Sequence, residues 1–169
     1  MRYLVTGGAG FIGSNLVAQL ELSGMSPLVV CDYPEAGGNG RNISKRHIDS
    51  YIRPDELFTF LKDNRDSIKV IFHLGATSST METDASLFAK NNYRLSLSLW
   101  RWCIDARIRF IYASSAATYG DGSNGFDDNI DRLPLNLLKP LNPYGRSKHL
   151  FDRKIVNLQR AGMGSPPQW

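Results

Sequence analysis

The sequence predicts an α/β fold, a doubly wound parallel sheet. Three observations carry that prediction. Continuous apolar runs of strand length alternate with segments of helical periodicity, a glycine cluster separates the first run from the first helix, and an aspartate closes the second run. A strand covered on both faces reads as an unbroken apolar run, and strands that alternate with helices form parallel crossovers.

The elements follow in order. Residues 3–5 form the first strand, Gly7, Gly8, Gly10 and Gly13 the turn, and residues 15–22, with Leu16, Val17, Leu20 and Leu22, a helix that Gly24 can end. Residues 28–30 are a second buried strand that stops at Asp32, so the unit is βαβ and about the ~30 residues such a crossover needs. Residues 33–42, rich in Gly, Asn and Pro, read as a loop, and a weak third strand is expected around His47 and Ile48. Then come a helix over 54–61, a strand over 70–74 and a long helix over 85–106. In that helix Leu87, Leu95, Leu99 and Trp102 share related faces. A strand over 110–112, an acidic loop over 120–131 and a helix from Pro143, capped by Asn142, complete the chain.

Composition bounds the function. A chain of 169 residues suits one domain, and 42% hydrophobic with 21% charged residues is globular, not disordered. Twenty Lys and Arg against sixteen Asp and Glu leave +4, but the basic residues are scattered, which argues against nucleic acid as a partner. Cys31 and Cys103 lie in apolar or helical contexts, with no disulfide framework and no metal knuckle, as expected in a reducing compartment. No run approaches the ~18 apolar residues of a membrane span, and residues 1–6 lead straight into a strand. The expectation is a cytoplasmic protein with no membrane partner.

Gly7, Gly10 and Gly13 form GxxGxxG between a strand and a helix. Glycine is needed there because the backbone turns sharply, approaches a pyrophosphate and lets helix pack on strand, while the helix N-terminus offers N–H groups to the anion. Asp32 follows Gly10 by 22 residues, where a carboxylate accepts hydrogen bonds from adenosine ribose hydroxyls. A plain glycine turn beside a surface aspartate is the competing reading, and the agreement of strand, turn, helix and carboxylate outweighs it. Asp32 favours NAD, whereas Arg41, Lys45 and Arg46 could pair with the 2′-phosphate of NADP, so both cofactors stay open.

Tyr144 and Lys148 stand four apart on one helix face, in a stripe continued by Phe151, Ile155 and Leu158 that is expected to face the sheet. A lysine in such a stripe is costly without a partner. Its ammonium would stabilise the Tyr144 phenolate, lowering a pKa ordinarily near ~10 so that the phenol exchanges a proton near neutral pH. A core tyrosine beside a snorkelling lysine is the alternative; the nucleotide signature upstream decides against it. Ser114 and Ser115 follow a strand, at the rim where doubly wound sheets bind ligands, and either hydrogen-bond a reacting oxygen or merely end the strand. Ser78, Ser79 and Thr80, after the preceding strand, are expected at the same rim, where they either line the site or form an ordinary polar loop.

Together Thr6-Gly7-Gly8-Ala9-Gly10-Phe11-Ile12-Gly13-Ser14-Asn15, Tyr112-Ala113-Ser114-Ser115-Ala116-Ala117-Thr118-Tyr119-Gly120 and Tyr144-Gly145-Arg146-Ser147-Lys148 resemble the extended short-chain dehydrogenase/reductases, the sugar-nucleotide epimerases and dehydratases with a Rossmann-like sheet. Phe72-His73-Leu74-Gly75-Ala76-Thr77-Ser78-Ser79-Thr80 and Asn91-Asn92-Tyr93 are similar to the branch that epimerises C6 of ADP-heptose for bacterial lipopolysaccharide core synthesis. The resemblance spans essentially the whole chain. It implies Tyr144 as acid/base, Lys148 as its partner, and Ser115 as the hydroxyl beside the reacting oxygen. Contacts to NAD or NADP would come from Gly7, Gly10, Phe11, Ile12, Gly13, Asp32, Tyr33, Leu74, Gly75, Ala76, Thr77, Ser78, Asn91 and Lys148. The implied partner is a nucleotide sugar, ADP-heptose, oxidised at C6 and reduced again from the other face.

Two departures from the pattern matter. Asn39 stands where the family carries a lysine that helps hold the NADP phosphate, and the family continues into a C-terminal region that holds the sugar. Residues 161–169 read as a loop cut before another strand, so residues 1–169 are expected to be an incomplete NAD(P)-binding domain without a substrate domain. In the expected order 3-2-1-4-5-6, residues 110–112 would then form an apolar edge, a route to a homo-oligomer or to poor solubility. Another sugar-nucleotide epimerase or dehydratase, and a non-catalytic dinucleotide-binding module, are the alternative functions.

Overall fold

The computed structural model describes residues 1–33, 40–79 and 81–167. These form two compact units, one built mainly of residues 1–75 and 102–112, the other of residues 76–101 and 113–165.

The first unit holds the sheet. Its strands are β1 (Arg2–Thr6), β2 (Leu28–Cys31), β3 (Ser50–Ile52), β4 (Ile68–His73) and β5 (Arg109–Tyr112), all parallel, in the order β3-β2-β1-β4-β5. That order is the Rossmann-like one as far as β5. Consecutive side chains of a strand point to opposite faces. Leu4 with Val5, Val29 with Val30, and Val70 with Ile71 are all buried, so both faces of the central strands are covered, as the unbroken apolar runs require. Helix α1 (Phe11–Leu22) follows β1 and sets Val17 and Leu20 into one core with Val5, Ala9, Leu28, Val30 and Ile43. Helix α2 (Gly40–Ile43) and helix α3 (Leu57–Asp63) complete the early crossovers.

Several boundaries differ from the sequence reading. The third strand is not at His47–Ile48 but two residues later. Asp49 is the cause: its N–H donates to the Leu28 carbonyl (2.9 Å) and its carboxylate accepts from the Leu28 N–H (2.5 Å), so pairing begins only beyond it. Helix α3 begins at Leu57, not at 54, because residues 53–56 close a turn in which the Glu56 carboxylate accepts from the Arg53 N–H (3.3 Å). The stretch read as a loop over 33–42 gives way to α2 from Gly40, with residues 34–39 outside the described part.

Beyond the sheet, the long helix expected over 85–106 is broken in register. Helix α4 (Ala85–Phe88), capped by the Asp84 carboxylate on the Ser86 N–H (2.8 Å), passes into a π turn over Ala89–Arg94 and then into α5 (Leu95–Ala106). A π turn inserts one residue per turn and redirects the side chains after it. Leu99 is fully buried, while Leu87, Leu95 and Trp102 are half-buried. A 3-10 turn over Ala116–Tyr119 and helix α6 (Pro143–Arg160) follow. Among the described residues no helix is long and apolar enough to cross a membrane.

Candidate functional site

In the first unit the glycine turn is built for close approach. Gly7 takes φ +69°, and a Cβ there would lie 2.6 Å from the Gly75 amide nitrogen. A Cβ on Gly13 would lie 2.0 Å from the Gly7 carbonyl oxygen, so the first turn of α1 can sit on the loop only with hydrogen at that position. Gly10 is the N-cap and has no side chain to engage the first N–H groups of α1, a 12-residue helix. Those donors and the positive end of the helix are available to an anion. Phe11 and Ile12, 82% and 67% exposed, stand at this opening.

Asp32 braces the loop. Its Oδ2 accepts from the Ala9 N–H (2.9 Å), and its Oδ1 accepts from the Tyr33 N–H (2.8 Å). Each carboxylate oxygen keeps a second lone pair for a ribose hydroxyl. The amide of Asn42, which the sequence reading missed, donates to the Ala9 carbonyl (2.9 Å), so both backbone groups of Ala9 are pinned. The Tyr33 ring lies under the Arg53 guanidinium, 5.0 Å from ring centre to carbon. Of the basic residues suggested for a 2′-phosphate, Arg46 is engaged by Glu21 (3.1 Å), while Arg41 and Lys45 are exposed; Asn39 lies outside the described residues.

Leu74 and Gly75 are fixed to the end of β1. The Leu74 N–H donates to the Thr6 carbonyl (3.1 Å), and the Gly75 N–H donates to the Thr6 hydroxyl (3.1 Å), which also meets buried His73 Nδ1 at 2.6 Å. Thr6, which opens the quoted glycine motif but is given no role in the sequence reading, thus holds Leu74 and Gly75 beside the Gly7 turn.

In the second unit, α6 begins as the sequence predicts, with the Asn142 side chain accepting from the Gly145 N–H (2.7 Å) and Pro143 in the first turn. A Cβ on Gly145 would lie 2.6 Å from the Ala117 carbonyl oxygen, so this turn rests directly on the segment after Ser115. Ser115, half-buried, accepts from the Ala117 N–H (3.2 Å) and caps the 3-10 turn. Lys148, 2% exposed, donates from Nζ to the Ala113 carbonyl (2.8 Å), two residues before Ser115. Phe151 is fully buried; Tyr144, Ile155 and Leu158 are half-buried. The structure therefore gathers Tyr144, Lys148 and Ser115 around one contact between α6 and residues 113–119.

The π turn meets the same region. Asn91 Nδ2 donates to the Thr77 hydroxyl (3.1 Å). Asn92, 1% exposed, accepts from the Thr77 N–H (2.8 Å) and donates to both the Thr77 carbonyl (3.0 Å) and the Ser147 hydroxyl (2.9 Å). Ser147 in turn donates to the Tyr144 carbonyl (2.7 Å). Asn92 and Ser147 therefore tie the loop of Ala76, Thr77 and Ser78 to the first turn of α6. An Asn-Asn pair inside an otherwise helical run was the available signal. Ser78 and Ser79 are exposed, and Thr80 lies outside the described residues.

Next to Ser115 is a cavity of about 490 Å³, within the size range of small-molecule sites, whose lining includes the polar side chains of Ser114, Ser115, Thr118, Asp127, Asp128 and Asp152, with Tyr119 and aliphatic side chains as the rest. Burial pulls Lys148 down from its ordinary 10.5 to about 8, against an opposing effect from Asp152. Between those two values the folded chain has lost this proton while the unfolded chain still binds it, so the contribution of Lys148 to stability rises with pH across that window. The rise expected from Lys148 is on the order of 3 kcal/mol. Burial pushes the Cys31 and Cys103 thiols up to about 12, which lowers stability above pH ~9 in any variant, so the rise is read as the difference between wild-type and Lys148→Met denaturant midpoints from pH 7.5 to 10.5; parallel curves would contradict it.

Residues 3–167 match the model of the NAD dependent epimerase/dehydratase family. The chain is 42% identical over 168 residues to ADP-L-glycero-D-manno-heptose-6-epimerase of Fusobacterium nucleatum, covering 98% of this chain and 49% of that protein. It is 43% identical over 152 residues to the protein of the same name from Nitratidesulfovibrio vulgaris, covering 89% and 46%. Among solved structures, the Helicobacter pylori ADP-L-glycero-D-manno-heptose-6-epimerase superposes with a TM-score of 0.75 at 28% identity, covering 92% of this chain and 50% of that one. UDP-glucuronic acid 4-epimerase from Bacillus cereus in complex with NAD gives 0.77 at 28%, covering 95% and 52%. The chain spans about half the length of the relatives it matches.

Proposed function

The chain belongs to the NAD dependent epimerase/dehydratase family, and from that premise we propose that it carries the cofactor-binding and proton-transfer residues of an ADP-L-glycero-D-manno-heptose 6-epimerase, inverting C6 of an ADP-heptose. The observation that carries the reading is the gathering of Tyr144, Lys148 and Ser115 in a chain that also holds the Gly7–Gly13 turn.

The glycine turn, the open N-terminus of α1 and the Asp32 carboxylate fit a dinucleotide: the backbone leaves room for a pyrophosphate, and the carboxylate retains acceptor capacity for ribose. Gly7, Gly10, Phe11, Ile12, Gly13, Asp32, Tyr33, Leu74, Gly75, Ala76, Thr77, Ser78 and Asn91 would hold NAD or NADP. When bound, the nicotinamide supplies a reversible hydride acceptor. Tyr144 would take the proton of the C6 hydroxyl as the carbon is oxidised and return it after the ketone has turned. Ser115 would donate a hydrogen bond to the same oxygen. The Lys148 ammonium, one helical turn from Tyr144, would balance the charge that develops there and reach the cofactor ribose. A cycle that oxidises and then reduces leaves the cofactor unchanged, so it is not a co-substrate. The β5 edge, with Ile111 37% exposed, is the feature that supports self-association of this chain.

Incubated with one C6 epimer of ADP-heptose and NAD or NADP, the chain should produce the other epimer, followed by NMR, without accumulating reduced cofactor. Cofactor binding without exchange on any nucleotide sugar would select the non-catalytic module instead, and exchange confined to another nucleotide sugar would reassign the substrate.

A further inference from the structure

The Lys148 ammonium is buried and donates a hydrogen bond to a neutral carbonyl, that of Ala113. A buried charge needs an opposite charge nearby or it gives up its proton. Asp152 lies one helical turn further along α6 and acts electrostatically on Lys148. Its Oδ2 accepts from the Ser114 hydroxyl at 2.5 Å. Adjacent residues of the strand end, Ala113 and Ser114, are thus gripped by residues four apart on α6, and the next residue along the strand end is Ser115.

We propose that Asp152, anchored by Ser114, is the counter-charge that keeps the Lys148 ammonium charged and in place, making Asp152 and Ser114 positioning residues for the Tyr144–Lys148 pair. The inference rests on the reading of that pair given above, but it concerns the charge of one amine and is testable without turnover. Burial raises the Asp152 carboxyl above its ordinary value, whereas the Ser114 hydrogen bond and Lys148 act against that. Both partners are therefore shifted toward their neutral forms. A pair that strained adds little to stability, which suits a site better than a structural bridge. Asp152 is a carboxylate that acts on the lysine in favour of its charged form. Near α6, the 3-10 turn over Ala116–Tyr119 contributes the Tyr119 phenol, the π turn contributes Lys90, Tyr93 and Arg94, the acidic loop contributes Asp127 and Asp128, which line the cavity beside Asp152, and α4 and the 3-10 turn over Leu135–Leu137 carry no charged residue. On α6 itself the neighbours are Tyr144 and Asp152.

The test is the titration of Lys148 in the chain labelled with 13C-lysine, its Cε signal assigned by its loss in Lys148→Met. Asp152→Asn should move the Lys148 titration down by about one pH unit, and Asp152→Glu should restore most of it. Ser114→Ala should raise the Asp152 carboxyl titration, because it removes a donor to the ionised form. An unmoved Lys148 titration in folded Asp152→Asn overturns the proposal. Should that variant not fold, the wild type decides. The Lys148 signal should show a second, acid inflection coincident with the Asp152 carboxyl titration, and a single inflection overturns the proposal.

Discussion

Tyr144→Phe is expected to lower the rate of C6 epimer exchange by about 10²- to 10⁴-fold, the usual contribution of a positioned acid/base, while leaving cofactor affinity and thermal stability close to those of the wild type. The separation follows from the local architecture. The substitution removes one hydroxyl from a half-buried ring, and other atoms make the contacts that hold this turn. Asn142 still caps α6, Gly145 still rests on Ala117, and the Tyr144 main-chain carbonyl still accepts from Ser147. NMR exchange rates, NADH fluorescence and a melting curve, measured on one preparation, check all three claims. Exchange at the wild-type rate would remove Tyr144 from the chemistry; loss of folding would make it a core residue.

The second large effect is expected at Gly13. A methyl group there would lie 2.0 Å from the Gly7 carbonyl oxygen and 2.8 Å from both the Gly7 carbonyl carbon and Gly8 Cα, all backbone atoms, so loop and helix must separate. Gly13→Ala should weaken NADH binding about 10- to 100-fold, the equivalent of about 1–3 kcal/mol of overpacking. Gly10→Ala supplies the internal scale. Its Cβ would meet only the Gly7 carbonyl oxygen, at 3.3 Å, so a smaller loss is expected. Fluorescence titration of both variants should rank them in that order, and equal affinities would show that the close approach of α1 to the loop does not govern binding.

The parts legible in the sequence are those in which one residue type satisfies one strong constraint. Steric exclusion makes Gly7 and Gly13 readable, an N-cap makes Asn142 readable, and burial of a charge makes Lys148 stand out from its stripe. The parts that were not legible depend on pairings across the chain. Asp49 delays β3 because it bonds to Leu28, 21 residues away, and no local pattern announces that. The π turn over Ala89–Arg94 falls inside the helix expected over 85–106, because that expectation rests on apolar residues to either side of it, Leu87 before and Leu95, Leu99 and Trp102 after. Yet it is what sets Asn91 and Asn92 against Thr77 and Ser147. Nothing local in the sequence singles out Asp152, and its bond to Ser114 and its electrostatic effect on Lys148 are what distinguish it.

The central claim is that this chain holds a nicotinamide dinucleotide on its amino-terminal glycine turn. Calorimetric titration of the folded wild-type chain with NAD and with NADP tests it most directly. Saturable one-to-one binding of at least one of them, weakened in Gly13→Ala and retained in Tyr144→Phe, is the predicted result. No heat with either cofactor, from a sample whose circular dichroism and melting transition show it folded, would contradict the account.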